Sequence, residues 1–96
     1  MYRIAIVDDD YMVRESTKAV IERNFKEENF QVECFSTFSQ LQSELSQELF
    51  TVYILDIELP DGNGLELAKE IRKIQERAYI VFLTACLLYT SDAADE

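Results

Sequence analysis

The stretch Thr51-Val52-Tyr53-Ile54-Leu55-Asp56-Ile57-Glu58-Leu59-Pro60 constrains this chain more than any other. Its first five residues are apolar or β-branched and read as a strand buried on both faces, and the run stops on a carboxylate. An ionised aspartate at the end of such a strand is costly unless backbone donors and solvent hold it, or unless it does chemistry there. A second apolar run, Tyr2 to Val7, stops the same way on Asp8-Asp9-Asp10. Two strands ending in carboxylates argue for chemistry.

The rest of the chain alternates around these runs. From Tyr11 to about Phe25 there is no Gly or Pro, and Met12 or Val13, Ser16, Ala19 or Val20, and Phe25 recur at helical spacing, with Asp9 or Asp10 near the N-cap. Phe30 to Phe35 alternates strictly and reads as a strand near a sheet edge. Thr37 and Gln40 form a capping-box pattern ahead of Phe38, Leu41, Leu45 and Leu49, which predicts a second helix. Glu58 to Gly64 is dense in turn residues, with Gly62 and Gly64 serving the turn; Asn63 and Glu66 then open a third helix carrying Leu67, Ala68, Ile71 and Ile74 on one face. Tyr79 to Thr84 is a fourth buried strand. The order β-α-β-α-β-α-β implies right-handed crossovers, a parallel sheet and helices on both faces. Ligands of such sheets sit at the carboxyl ends of the strands, where Asp8, Asp9, Asp56 and Thr84 all fall.

Composition excludes several function classes. The 96 residues have room for one domain, and no apolar run approaches the length that spans a bilayer. With no signal-peptide pattern at Met1-Tyr2-Arg3-Ile4, the chain is expected in the cytoplasm. A net charge of −10 repels nucleic-acid phosphates and anionic lipid, so neither is an expected direct partner. Cys34 and Cys86 are far apart and the chain has no histidine, which leaves no zinc spacing or disulfide framework. Cys34 reads as a small buried hydrophobe.

Gathering Asp8, Asp9 and Asp56 at one edge sets like charges together, which drives a carboxylate toward protonation unless a cation intervenes. Hard oxygen donors select Mg2+, Mn2+ or Ca2+, and a small open carboxylate cluster suits Mg2+ best. A calcium loop starting at Asp56 fails on spacing: Asp61 stands where glycine is needed, and Leu67 where an acid is needed. A carboxylate beside such a cation is a nucleophile toward a phosphoryl donor, so Asp56 would become an acyl phosphate, with the Thr84 hydroxyl placed to contact it. Taken alone, Asp10 reads as a helix cap or solvated acid, and Thr84 as a strand-end hydroxyl.

These segments resemble the receiver domain of two-component response regulators. Ile4-Ala5-Ile6-Val7-Asp8-Asp9 carries its acidic pair, Ile54 to Gly64 its phosphoacceptor segment, and Phe82-Leu83-Thr84-Ala85 its hydroxyl-bearing strand. The resemblance implies an α/β, flavodoxin-like doubly wound parallel sheet, here βαβαβαβ with strand order 2-1-3-4. It implies Asp56 as phosphoacceptor, Asp8 and Asp9 as Mg2+ ligands, Glu58 lending its backbone carbonyl to the metal, and Thr84 hydrogen-bonding the phosphoryl group. It also implies a histidine kinase as donor and an output domain as the reader, which makes the chain a switch and not a multiple-turnover enzyme. The wording of residues 52–60 and 65–72 is similar to regulators with a LytTR-type DNA-binding output. The alternatives are an aspartate-nucleophile phosphohydrolase, whose Asp-x-Asp is here Asp56-Ile57-Glu58, and a phosphorylation-independent pseudo-receiver.

The resemblance covers residues 1–85, a partial receiver. The family's fourth helix, its fifth strand with a lysine, and its fifth helix are expected to be missing. Residues 86–96, Cys86-Leu87-Leu88-Tyr89-Thr90-Ser91-Asp92-Ala93-Ala94-Asp95-Glu96, look like the translation of a transposon-type sequencing adapter, so this tail is expected to be non-native read-through.

Overall fold

The computed structural model describes residues 2–25 and 29–83. Strand β1 (Tyr2–Val7) leads into helix α1 (Tyr11–Asn24), β2 (Phe30–Phe35), α2 (Phe38–Leu45) and β3 (Val52–Asp56). A two-strand hairpin, β4 (Glu58–Leu59) and β5 (Gly62–Asn63), precedes α3 (Gly64–Ile74) and β6 (Tyr79–Leu83). The main sheet is parallel in the order β2-β1-β3-β6, which is the expected order, with β2 at an edge.

Register sets the site. Val7 pairs with Leu55 and Leu55 with Phe82, so the residues that follow Val7 and Leu55, Asp8 and Asp56, reach the carboxyl edge at one level. Period-two alternation sends Ala5, Val7, Tyr53 and Leu55 to one face, where they are buried with Phe38 and Leu41 of α2 and Leu67 and Ile71 of α3. Ile6, on the other face, is also fully buried, and Ile21 is the buried residue of α1.

Several local expectations change. β3 is buried on one face only, since Val52 and Ile54 remain partly exposed. β6 is not a buried strand: Tyr79 and Val81 are exposed, because it stands at an edge of the described sheet. α1 turns Ile21 inward, not the expected stripe, and Met12, Val20 and Phe25 face solvent. α2 stops before Leu49, because the Gln47 and Glu48 amides both donate to the Glu44 carbonyl at 2.9 Å and close a turn. Ile74 is exposed, while the next residue, Gln75, turns inward to Tyr53.

The amino-terminal edge of the sheet is tied by side chains. The Arg3 guanidinium pairs with Glu33 and with Glu48 at 2.9 Å, donates to the Leu49 carbonyl at 3.0 Å, and lies 4.1 Å from the Phe50 ring centroid. Tyr53, fully buried, accepts from the Phe50 amide at 3.1 Å and donates to Gln75, whose side-chain amide returns a bond to the Phe50 carbonyl at 2.6 Å. Burial pushes the Tyr53 phenol above its usual range.

Candidate metal and phosphoacceptor site

Three carboxylates meet where β1 and β3 end. One oxygen from each of Asp8, Asp9 and Asp56 lies within 4.8 Å of the others. Asp8 is only 5% exposed, Asp56 is half-buried and Asp9 is open to solvent, so the cluster has a closed floor and an accessible mouth. The Asp10 amide donates to Asp8 Oδ1 at 2.9 Å, and the Glu58 amide donates to Asp56 Oδ1 at 3.3 Å. Two amides do not balance this charge. Burial, then the carboxylates of Asp56, Asp9 and Asp10, raise the Asp8 carboxyl above its ordinary value, against the Asp10 amide. Asp56 is raised by burial first, with Asp9 and Glu58 adding repulsion. Repulsion alone was the expected cause; desolvation is the larger one.

A raised pair of carboxyls beside an exposed third fits a cation. The donors are all hard oxygens and the gap suits one ion, so Asp8, Asp9 and Asp56 fit Mg2+. Glu58 stands two residues past Asp56, at the start of the hairpin, with its side chain exposed. Thr84 lies outside the described residues.

Local structure holds these groups in place. Asp10 is the N-cap of α1, its side chain accepting from the Met12 amide at 2.9 Å. Asn63 caps α3 by accepting from the Leu65 amide at 2.7 Å. Neither glycine near the site has a positive φ, so turn geometry is not their role. Gly64 brings its amide within 2.6 Å of the Ile57 carbonyl and leaves no room for a β-carbon against the Asp56 carbonyl. A β-carbon at residue 62 would come within 2.5 Å of the Phe38 ring.

Sequence reasoning did not find Arg14 or Asp61. Arg14 Nη1 donates to the Asp8 carbonyl at 2.7 Å, fastening the end of β1 to α1. Asp61 binds the start of α2 from the hairpin turn. Neither bond has a sequence signal, since both depend on packing.

The family model for the response regulator receiver domain matches residues 4–92. The chain belongs to this family. The sensory transduction protein LytT of Bacillus cereus is 34% identical over 93 residues, covering 97% of this chain and 37% of that protein. The transcriptional regulatory protein CrdR of Helicobacter pylori is 31% identical over 84 residues, 86% of this chain and 38% of CrdR. This receiver therefore spans well under half the length of these relatives. Among solved structures, the non-phosphorylated HemR receiver domain from Leptospira biflexa superposes with a TM-score of 0.74 at 34% identity, over 88% of this chain and 65% of that one. The response regulator TrrA of Thermotoga maritima, solved in complex with Mg(2+)-BeF, gives 0.73 at 35% identity, over 96% and 76%. The three-carboxylate cluster of this receiver matches the Mg2+ site of the family. Receivers take up one phosphoryl group per cycle as switches and are not multiple-turnover enzymes. Among the described residues no helix is long and apolar enough to cross a membrane.

Proposed function

We propose that this receiver accepts a phosphoryl group on Asp56, with Mg2+ held by the carboxylates of Asp8, Asp9 and Asp56 and by the Glu58 backbone carbonyl, and with the Thr84 hydroxyl contacting the transferred group. The observation that carries this reading is the approach of three carboxylate oxygens to within 4.8 Å at the carboxyl edge of a parallel sheet. When bound, the cation neutralises charge on the transferring phosphoryl oxygens. An Asp56 carboxylate oxygen then forms the new P–O bond as the donor's bond to phosphorus breaks, and the donor leaves with that electron pair.

The donor is a histidine kinase's phosphohistidine. TrrA, similar to this chain, has been solved in complex with the histidine kinase ThkA, which supports that class of partner. The output we propose is of LytTR type, binding DNA so that phosphorylation controls transcription in the cytoplasm; the likeness to the sensory transduction protein LytT and the transcriptional regulatory protein CrdR supports a regulatory output. The family match runs to residue 92 and does not set the end of the receiver portion. We propose residues 1–85 as the receiver portion and residues 86–96 as non-native read-through, on the likeness of that tail to a translated sequencing adapter. An independent genomic clone that still encodes that tail would overturn the last point.

The chemistry is tested with acetyl phosphate and Mg2+ on the receiver. One phosphoryl adduct, labile to base and lost in Asp56→Asn, is the expected result. Steady phosphate release from many esters would point to a phosphohydrolase, and no adduct would point to a pseudo-receiver.

A further inference from the structure

The tip of the β4–β5 hairpin is fastened to another element. Asp61 lies in the turn between Leu59 and Gly62, which are paired across the hairpin. Its Oδ1 accepts from the Phe38 amide at 2.8 Å, and its Oδ2 accepts from the Ser39 amide at 3.1 Å and the Ser39 hydroxyl at 2.5 Å. Phe38 and Ser39 are the first two residues of α2, whose amides have no partner within the helix. The helix's own cap, Thr37, serves the Gln40 amide at 3.1 Å. Capping is thus divided between a local hydroxyl and a carboxylate from 22 to 23 positions away. The Ser39 hydroxyl first, then the two amides, holds the Asp61 carboxyl below its ordinary value.

The other end of the hairpin is the site. Glu58 pairs with Asn63, and its amide donates to Asp56 Oδ1 at 3.3 Å. Only Leu59 and Pro60 separate Glu58 from Asp61. The first turn of α2 is a good anchor, because its amides are fixed by the helix and carry partial positive charge.

We propose that Asp61 is a positioning residue for the cation and phosphoryl site: by tying the hairpin tip to α2, it fixes where Asp56 and Glu58 stand relative to Asp8 and Asp9. The inference rests on the Mg2+ reading of that cluster. Asp61 itself touches no reacting atom; it acts through the four-residue path to Glu58.

Mg2+ titration calorimetry on the whole chain tests this, at a temperature where circular dichroism shows each variant folded. Asp61→Ala is expected to weaken Mg2+ binding about tenfold, and Thr37→Ala, which loosens the same helix end but leaves the hairpin tied, to change it less than about twofold. Asp61→Asn, which keeps one acceptor oxygen, is expected to fall between wild type and Asp61→Ala. An Asp61→Ala affinity within about twofold of wild type, or an equal loss in Thr37→Ala, would overturn the role of Asp61 while leaving the site intact. Wild type that takes up no Mg2+ would overturn the site reading itself, and the positioning role with it.

Discussion

Gly64 opens the third helix against the backbone carbonyl of Asp56 so closely that a β-carbon at residue 64 would overlap the carbonyl oxygen. The neighbour is backbone, and its position is fixed by the β3 pairings on either side. Gly64→Ala must therefore move either the helix or the end of the phosphoacceptor strand. Helix propensity favours alanine by roughly 1 kcal/mol, but overpacking costs about 1–3 kcal/mol and here meets main chain. The expected outcome is a net loss of up to about 2 kcal/mol in urea unfolding together with weakened Mg2+ binding. A variant as stable as wild type with unchanged Mg2+ affinity would show that the close approach is not required.

The raised carboxyls of Asp8 and Asp56 set a pH dependence of unusual sign. Burial, more than the neighbouring charges, lifts both above the ordinary 3.8 in the folded state. A carboxyl raised on folding contributes stability that is complete below its unfolded value and is lost as pH rises through the folded value. Asp8→Asn removes one such group and keeps an oxygen for the Asp10 amide. Without divalent cation, the variant should be more stable than wild type at pH 7, and the gap should close as pH falls below 3.8. Saturating Mg2+ should reverse the order, since ligand at about 100 times its dissociation constant adds ~2.7 kcal/mol to wild type alone. Thermal melts of both proteins with chelator and with Mg2+ decide it; a gap that ignores pH refutes the electrostatic account.

The carboxylates were legible in sequence because an acid that interrupts an apolar run breaks the pattern twice, at Asp8 and at Asp56. The parallel sheet followed from alternating strands and helices, while its strand order came from the resemblance to receiver domains. The hairpin was not legible: two-residue strands at Glu58–Leu59 and Gly62–Asn63 have no period to read. Ile21 was missed because α1 carries apolar residues on several faces, and packing on the sheet decides which one turns in. The bonds of Arg14 to Asp8 and of Asp61 to Ser39 join separate elements through space. Composition carries no trace of such pairs.

Tyr53 closes a buried polar knot at the end of the sheet remote from the carboxylates. Tyr53→Phe keeps the ring, which packs edge-on to Phe50 at 5.7 Å, and removes only the hydroxyl. The Phe50 amide and the Gln75 side-chain oxygen then lose their partner. Stranding a buried donor costs about 1–3 kcal/mol, so a loss near 2 kcal/mol in urea unfolding is expected, with no change in Mg2+ affinity. A change below roughly 0.5 kcal/mol would mean that the freed groups find other partners.

Arg3 separates stability from function in the same way, but through charge. Its guanidinium joins Glu33 and Glu48 to the Leu49 carbonyl and the Phe50 ring, and its side chain is only 18% exposed. It is the second residue of β1, while Asp8 follows the end of β1, so ~17 Å of strand lies between them. Arg3→Met should cost about 2 kcal/mol, combining partly exposed ion pairs at ~0.2–1 kcal/mol each with a cation–π contact of ~0.5–1 kcal/mol. Arg3→Lys should recover part of this, because an ammonium keeps the charge but lacks the planar fork that reaches two acceptors and stacks on the ring. Raising salt to about 1 M, where screening acts within ~3 Å, should shrink the Arg3→Met penalty without removing it, since ring contact and carbonyl bond remain. Urea midpoints at low and high salt measure this. A penalty that disappears entirely at high salt would reduce Arg3 to a surface ion pair, and a loss of Mg2+ binding would show that the two ends of β1 are coupled.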